Sequence, residues 1–337
     1  MVRICQEAAV IMRVGKLTGN VWKRSVWKQM RTKRDEVRMG AGEGDDCALF
    51  SLGDGREPAI SVYTVEGENM VKHAVHGAAN AVAASGAEPL AVFFSMLLPE
   101  TIQEACIQDM MVKLEEVCSG LHIQAAGDNI RITKAVKSPI LTVTGIGAWP
   151  GADAVSVKRI KPGQDIVVSK WIGLEGTAIL ARERQTELLE KYPLRWMEEA
   201  KEFDRFLSTV PEAATAIKSG VCAMHGVAEG GIFGALWELA EGAGVGLDID
   251  LGEIPIKQET IEICEFFEIN PYCLLSGGSL LMIVDNGYDL VRDLAREHIS
   301  AAVIGKTTDS KDRVVRKEEE RRFLERPKPD ELYKALN

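Results

Sequence analysis

Four short stretches carry residue types that could meet a phosphate or a cation. Gly40 to Asp46 reads GAGEGDD. Its glycines Gly42 and Gly44 can expose backbone N–H groups to phosphate oxygens, and Asp45 and Asp46 can hold a divalent cation against them. Ala126-Gly127-Asp128-Asn129 is a second turn-like stretch with an oxygen ligand, placed where a strand is expected to end. The third, His225 to Gly231 (HGVAEGG), runs into a helix expected from Ile232. A helix that starts on Gly230 and Gly231, just after Glu229, presents unpaired N–H groups and the positive end of its dipole to an anion. Ser276-Gly277-Gly278-Ser279 enters a further strand. Each stretch alone is also ordinary connection chemistry. Their combination in one chain is the stronger signal.

The elements expected to position them alternate between strand and helix. In the first half, strands are expected at 47–52, 59–65, 90–98, 121–126 and 139–148, with helices over 68–85 and 101–119. A polar connection follows, and a second segment begins with a strand at 165–170 and a helix at 175–184. One or two helices are expected over 189–219, divided near Pro211. Strands at 221–224, 246–249, 278–284 and 301–304 alternate with helices at 232–243 and 288–298. The pattern predicts an α/β (α+β) chain of two domains, residues 39–155 and 156–310. A basic helical extension, 1–38, precedes them, and a charged tail, 311–337, is expected to lie exposed before a last short helix at 331–336.

Composition narrows the function classes. The chain has 337 residues, 46% apolar and 27% charged, which suits a globular protein with sizeable cores. Its net charge is −10, yet residues 1–40 carry ten Lys/Arg against three acids. This opening, with Trp22 and Trp27, reads as an amphipathic helix whose Lys/Arg heads stay in water. The acidic remainder and the lack of a nucleic-acid module argue against nucleic-acid binding. The longest apolar run, Leu90 to Leu98, is too short to span a bilayer, so no membrane role is expected. Seven scattered cysteines without a CxxC pair suit reduced thiols and a cytoplasmic setting. His73, His76 and Asn80 share one helical face, but two imidazoles without a third strong ligand make packing or a subunit contact the better reading. Cys47, beside Asp45 and Asp46, reads as a small buried residue.

Five segments together resemble the AIR synthase superfamily. They are Gly44-Asp45-Asp46-Cys47-Ala48, Asn80 to Pro89 (NAVAASGAEP), Thr144-Gly145-Ile146-Gly147, Gly173 to Ala178 (GLEGTA) and Glu229 to Gly246 (EGGIFGALWELAEGAGVG). The similarity spans nearly the whole chain and is nearest to the branch beside the hydrogenase-maturation dehydratase. The resemblance implies N-terminal domains that pair across a homodimer into a β-barrel. It also implies ATP and Mg²⁺ in the cleft near that interface, and phosphoryl transfer to an oxygen of a small substrate that the sequence does not name. It places cofactor contacts at Gly42, Gly44, Asn80, Gly127, Asn129, Glu229, Gly230 and Gly231, and metal ligands at Asp45, Asp46 and Asp128; no residue is assigned a catalytic role.

Departures from the family pattern fall on the metal. The family's Asn-Asp is here Asn80-Ala81, and its threonine–aspartate step after the second strand reads Val62-Tyr63-Thr64-Val65-Glu66. The glycine–glycine-x-threonine loop has become Ala126-Gly127-Asp128-Asn129, and the run before Gly230 has lost an acid and a hydroxyl. Fewer oxygen ligands weaken a Mg²⁺ site, because that ion demands a near-ideal octahedron. The chain ends Lys334-Ala335-Leu336-Asn337, without the C-terminal cysteine that the dehydratase branch uses to carry its carboxamide. A non-catalytic homodimer that binds nucleotide or a partner as a sensor is therefore the alternative to an enzyme.

Overall fold

The computed structural model describes residues 37–39, 48–50, 57–67, 69–149 and 155–337. Strands β1 (Val37–Met39), β2 (Ala48–Phe50) and β3 (Glu57–Glu66) lead to helix α1 (Met70–Ala84). They are followed by β4 (Glu88–Leu98), α2 (Glu104–Gly120), β5 (Gln124–Ile132) and β6 (Ile140–Trp149). These strands form one sheet in the order β1-β2-β3-β6-β4-β5, antiparallel throughout except for the parallel pair β4–β5.

Helix α1 exists because its apolar residues recur at helical spacing. Val71, Ala74, Val75, Ala78, Ala79 and Val82 are all buried and form one stripe against the sheet. Among the described residues no helix packs on the opposite sheet face. Register aligns Val62, Thr144, Phe93 and Gly127 in one cross-strand row, with Ile60, Ile146 and Ala91 in the next. Val62 is 65% and Phe93 44% exposed.

The second domain begins with β7 (Asp165–Ser169), α3 (Leu174–Glu183), α4 (Gln185–Leu188), α5 (Leu194–Lys201) and α6 (Val210–Lys218). It continues through β8 (Ala223–Val227), α7 (Gly231–Ala243), β9 (Gly246–Asp250) and α8 (Gln258–Phe266). The chain closes with β10 (Ser279–Val284), α9 (Gly287–Arg296), β11 (Ala301–Thr308), β12 (Arg313–Lys317), β13 (Glu320–Phe323) and α10 (Glu331–Leu336). The sheet order is β13-β12-β9-β11-β7-β10-β8, and only β12–β9 is parallel. Ile166, Val168, Leu281 and Ile283 pack with α7, whereas Val167, Leu280 and Met282 pack with α6 and α9. Burial on both faces explains why β7 and β10 read as unbroken apolar runs. The expected break near Pro211 appears as a 3-10 turn, Glu202–Phe206, before α6.

Two segments differ from the sequence reading. Ala126 to Asn129 is not a turn but lies inside β5, because β4 supplies a parallel partner: Phe93 faces Gly127, Phe94 faces Asp128 and Ser95 faces Asn129. Strand pairing outweighs local turn preference there. The stretch 311–330, expected to lie exposed, instead adds β12 and β13 to the sheet, with Val314 and Val315 2% exposed. No helix among the described residues is long and apolar enough to cross a membrane. Of the basic extension expected over 1–38, residues 1–36 lie outside the described residues, and Val37 and Arg38 begin β1, where pairing with β2 replaces the expected helix.

Helix α1 also joins the domains. Ala83 and Ala84 enter the second domain's core beside Ala213 and Met282. Asn80 donates from Nδ2 to the Leu207 carbonyl at 2.7 Å and accepts the Thr209 N–H at 2.8 Å.

Candidate functional site

The side chains with unusual electrostatics gather where α1, the starts of α3 and α7, and α10 converge. Glu175, in the first turn of α3, is 4% exposed. Its Oε1 lies 2.5 Å from Nδ1 of His73, a residue of the other domain. A β-carbon at position 277 would collide with the other Glu175 oxygen, so Gly277 gives that carboxylate its room. The Ser276–Ser279 loop is otherwise a brace. Ser276 Oγ accepts the Gly173 N–H at 2.7 Å and donates to the Leu274 carbonyl, while Ser279 Oγ donates to the Trp171 carbonyl. The loop positions the start of α3.

His73 also faces Asp204, 3.8 Å from Nε2, and Asp204 pairs with Arg182 at 2.6 Å. Burial opposes a charged imidazole, but Glu175 and then Asp204 outweigh it and hold the His73 pKa above its usual value. Burial, then the neighbouring His73, Lys170 and Lys72, pushes His76 down to about 4. His73 is held by Glu175 and Asn80 by the 207–209 segment, and among the described residues the three do not form a metal-binding face.

At the start of α7 the expected anion position is already taken. Gly230 N–H donates to Asp330 Oδ2 at 2.6 Å, and Leu275 and Leu332 N–H groups donate to Oδ1 at 3.1 and 2.8 Å. Gly231, at φ +63°, donates to the Ala228 carbonyl, and a β-carbon on it would stand 2.5 Å from the Tyr272 carbonyl oxygen. Packing therefore requires glycine at 231. Burial drives the Asp330 pKa up to about 6 against the pull of its three amide bonds, and Glu229 adds to the rise. Tyr333 hydrogen-bonds Glu229. Burial, then Glu175, Glu229, Tyr333 and Asp330, raises the Tyr63 pKa well above its usual value. The Tyr63 ring packs against Gly77. His225 lies within β8, 4% exposed, with Nε2 3.2 Å from Glu238 of α7.

The remaining sequence candidates lie elsewhere. Gly127, Asp128 and Asn129 are on β5, the sheet edge opposite β1 and β2, and Asp128 and Asn129 are exposed. Strands β3, β6 and β4 separate β5 from β2, a span of roughly 19 Å at the usual strand spacing. Gly42, Gly44, Asp45 and Asp46 lie outside the described residues. Among the described residues, no three His, Cys, Asp or Glu side chains are grouped to hold a metal ion. Asn80 spends its amide on the 207–209 segment.

Sequence reasoning missed His73–Glu175, Asp330 and Tyr333 as a set. Only Asp330 leaves a local signal, as an aspartate in N-cap position ahead of the Glu331–Leu336 helix.

Residues 44–149 match the family described as AIR synthase related protein, N-terminal domain, and residues 161–318 match its C-terminal domain. The carbamoyl dehydratase HypE of Rhizobium leguminosarum bv. viciae is 26% identical over 281 residues, covering 78% of this chain and 76% of the relative. Among solved structures, a HypE–HypF complex superposes with a TM-score of 0.76 at 20% identity, covering 91% of this chain and 99% of the other. A hydrogenase maturation protein HypE in complex with ATP gives 0.70 at 19% identity, covering 86% and 89%.

Proposed function

Because the chain belongs to the AIR synthase-related family, we propose that it is an ATP-dependent protein that activates an oxygen of a small substrate by phosphoryl transfer, working as a homodimer. The observation that carries this reading is the pair of amides, Gly230 and Leu275, that already grip a carboxylate oxygen pair at the rim of the start of α7. Relatives named carbamoyl dehydratase, and a structural neighbour solved with ATP, support the nucleotide.

The described residues do not fit a Mg²⁺ site, since no three suitable ligands converge. What the second domain's residues do is clearer. Glu175 and Glu229 place negative charge about Tyr63, so phosphates arriving there meet repulsion that backbone N–H groups offset only in part. The braced start of α3 fixes Glu175, and His73 fixes its orientation.

The second reading, a non-catalytic homodimer that binds nucleotide or a partner as a sensor, is favoured by Tyr63. An aromatic ring fills the place where the family pattern has an acid, and it lies on Gly77. Titration calorimetry with ATP, with and without Mg²⁺, followed by a phosphate-release screen over amide, carboxamide and alcohol substrates, separates the two. Binding followed by release supports the enzyme; binding with no release across the screen supports the sensor. Absence of ATP binding sinks both nucleotide readings.

A further inference from the structure

Asp330 is a costly way to close a helix. Its side chain is 3% exposed, and taking a carboxylate out of water costs several kcal/mol unless it is well compensated. No cation pairs with it among the described residues; three backbone N–H groups hold it instead. The Leu332 bond is the ordinary N-cap of α10. The Gly230 and Leu275 bonds come from the start of α7 and from the loop before β10, and N-capping does not require them.

The charge of the same segment is felt in the first domain. Tyr333 hydrogen-bonds Glu229 and lies in the field of Glu66 from β3. Tyr63, also from β3, lies in the field of Glu229, Tyr333 and Asp330 together. Beyond these, α10 is fixed by Leu332 and Ala335 against Leu180, Ala181 and Leu188, and by Arg184 donating to the Ala335 carbonyl. Between β13 and α10 the chain has no regular structure, and residues 325–328 are exposed.

We propose that residues 325–337 form an autoinhibitory strap, in which Asp330 takes the place of a phosphate group on the Gly230 and Leu275 amides, so that the docked strap and a bound phosphate exclude each other. The inference rests on the nucleotide reading of this rim. Carboxylate and phosphate oxygens accept the same converging N–H groups, and a polyphosphate brings more charge to them. A ligand that binds only the undocked form has its apparent Kd raised in inverse proportion to the undocked fraction. Weakening the strap therefore tightens phosphate binding. Asp330→Asn keeps an acceptor for Leu275 and Leu332 but turns an amide NH₂ toward the Gly230 N–H. Tyr333→Phe removes only the bond to Glu229 and leaves the Asp330 contacts intact.

The test uses the full-length protein with inorganic tripolyphosphate and ATP as probes. Calorimetric affinities are measured for wild type and both variants, and hydrogen–deuterium exchange is followed over 325–337. The strap predicts faster exchange there at saturating tripolyphosphate, about tenfold tighter binding by Asp330→Asn, and a smaller gain by Tyr333→Phe. Unchanged or slowed exchange with ligand bound, or equal or weaker binding by both variants, overturns it. If ATP binds wild type while the segment stays undisturbed, the strap falls and the nucleotide reading stands. If Asp330→Asn gains tripolyphosphate but no variant binds ATP, the strap stands and the nucleotide reading falls. Failure of every variant to bind either probe overturns both.

Discussion

His73 of the first domain and Glu175 of the second meet at 2.5 Å, Nδ1 to Oε1, with side chains only 1% and 5% exposed. The pair is a deeply buried charged contact between the domains, and Asp204 and Arg182 extend it. Removing the imidazole leaves Glu175 buried without its partner, a loss on the order of 3–5 kcal/mol for such pairs. His73→Ala should therefore melt several degrees below wild type by calorimetry. The pH dependence has a definite sign. The folded His73 pKa lies above its unfolded value, so its contribution is complete below pH of about 6.5 and is lost as pH rises through the folded pKa. Wild type should lose stability on the alkaline side where His73→Ala does not. Parallel melting curves for the two proteins between pH 6 and 9 would remove the charged pair from the account.

Gly231→Ala separates packing from ligand binding at the start of α7. A phosphate-binding glycine would lose affinity on substitution and keep its melting temperature. The structure predicts a loss of stability instead, because Gly231 sits at φ +63° with the Tyr272 and Leu274 carbonyl oxygens 2.5 and 2.8 Å from a built β-carbon. A strained backbone position and a steric clash each cost about 1–3 kcal/mol. Thermal melts and a tripolyphosphate titration of the same variant decide it. An unaltered melting temperature with lost affinity would restore the phosphate reading of this residue.

Asp330 gives a pH signature of its own. Its folded pKa, about 6, lies above the ordinary carboxylate value near 3.9, so the folded state binds the extra proton between them. Stability from this group is therefore greatest in acid and falls as pH rises from about 4 to about 6, by roughly 3 kcal/mol at the full shift. The opposing groups are known: Glu229 raises the pKa, and the Gly230, Leu275 and Leu332 N–H groups lower it. The stability of wild type minus that of Asp330→Asn, measured by urea unfolding from pH 4 to 7, should decline across this window. A flat difference would mean that the carboxylate is as well solvated as in the unfolded chain.

The parts of this architecture legible in the sequence are those set by local pattern. Apolar runs announced β7 and β10, because both faces are covered, and helical spacing announced α1 and α7 to within a residue or two. The family segments announced the family, whose N- and C-terminal domain descriptions match residues 44–149 and 161–318. Contacts between distant parts of the chain were not legible. Gly-Asp-Asn at 127–129 carries turn residues yet lies in β5, because β4 supplies its partner. The charge around Val314 and Val315 hid a strand that only β9 reveals. Glu175 belonged to a recognised segment, but nothing in its neighbourhood names His73, 102 residues away. The aspartates at 45 and 46 remain a sequence expectation, outside the described residues.

The outer face of the first sheet carries the last prediction, a homodimer formed through that face. Val62, Thr144 and Phe93 stand in one row, and the Phe93 ring lies across Gly127 of the edge strand. The neighbouring row is Ile60, Ile146 and Ala91. An exposed apolar face of this kind marks an interface. Helix α1 covers the other face, so a substitution on the outer row leaves that core untouched. Phe93→Glu should keep a wild-type melting profile at low concentration while weakening self-association by about 2 kcal/mol or more, a factor of about 30 in Kd, as central aromatic residues do. Light scattering across a dilution series reads both proteins directly. Wild type should weigh as a dimer at micromolar concentration and Phe93→Glu as a monomer; a wild-type monomer there would overturn the prediction, and an unaffected dimer in the variant would move the interface off this face.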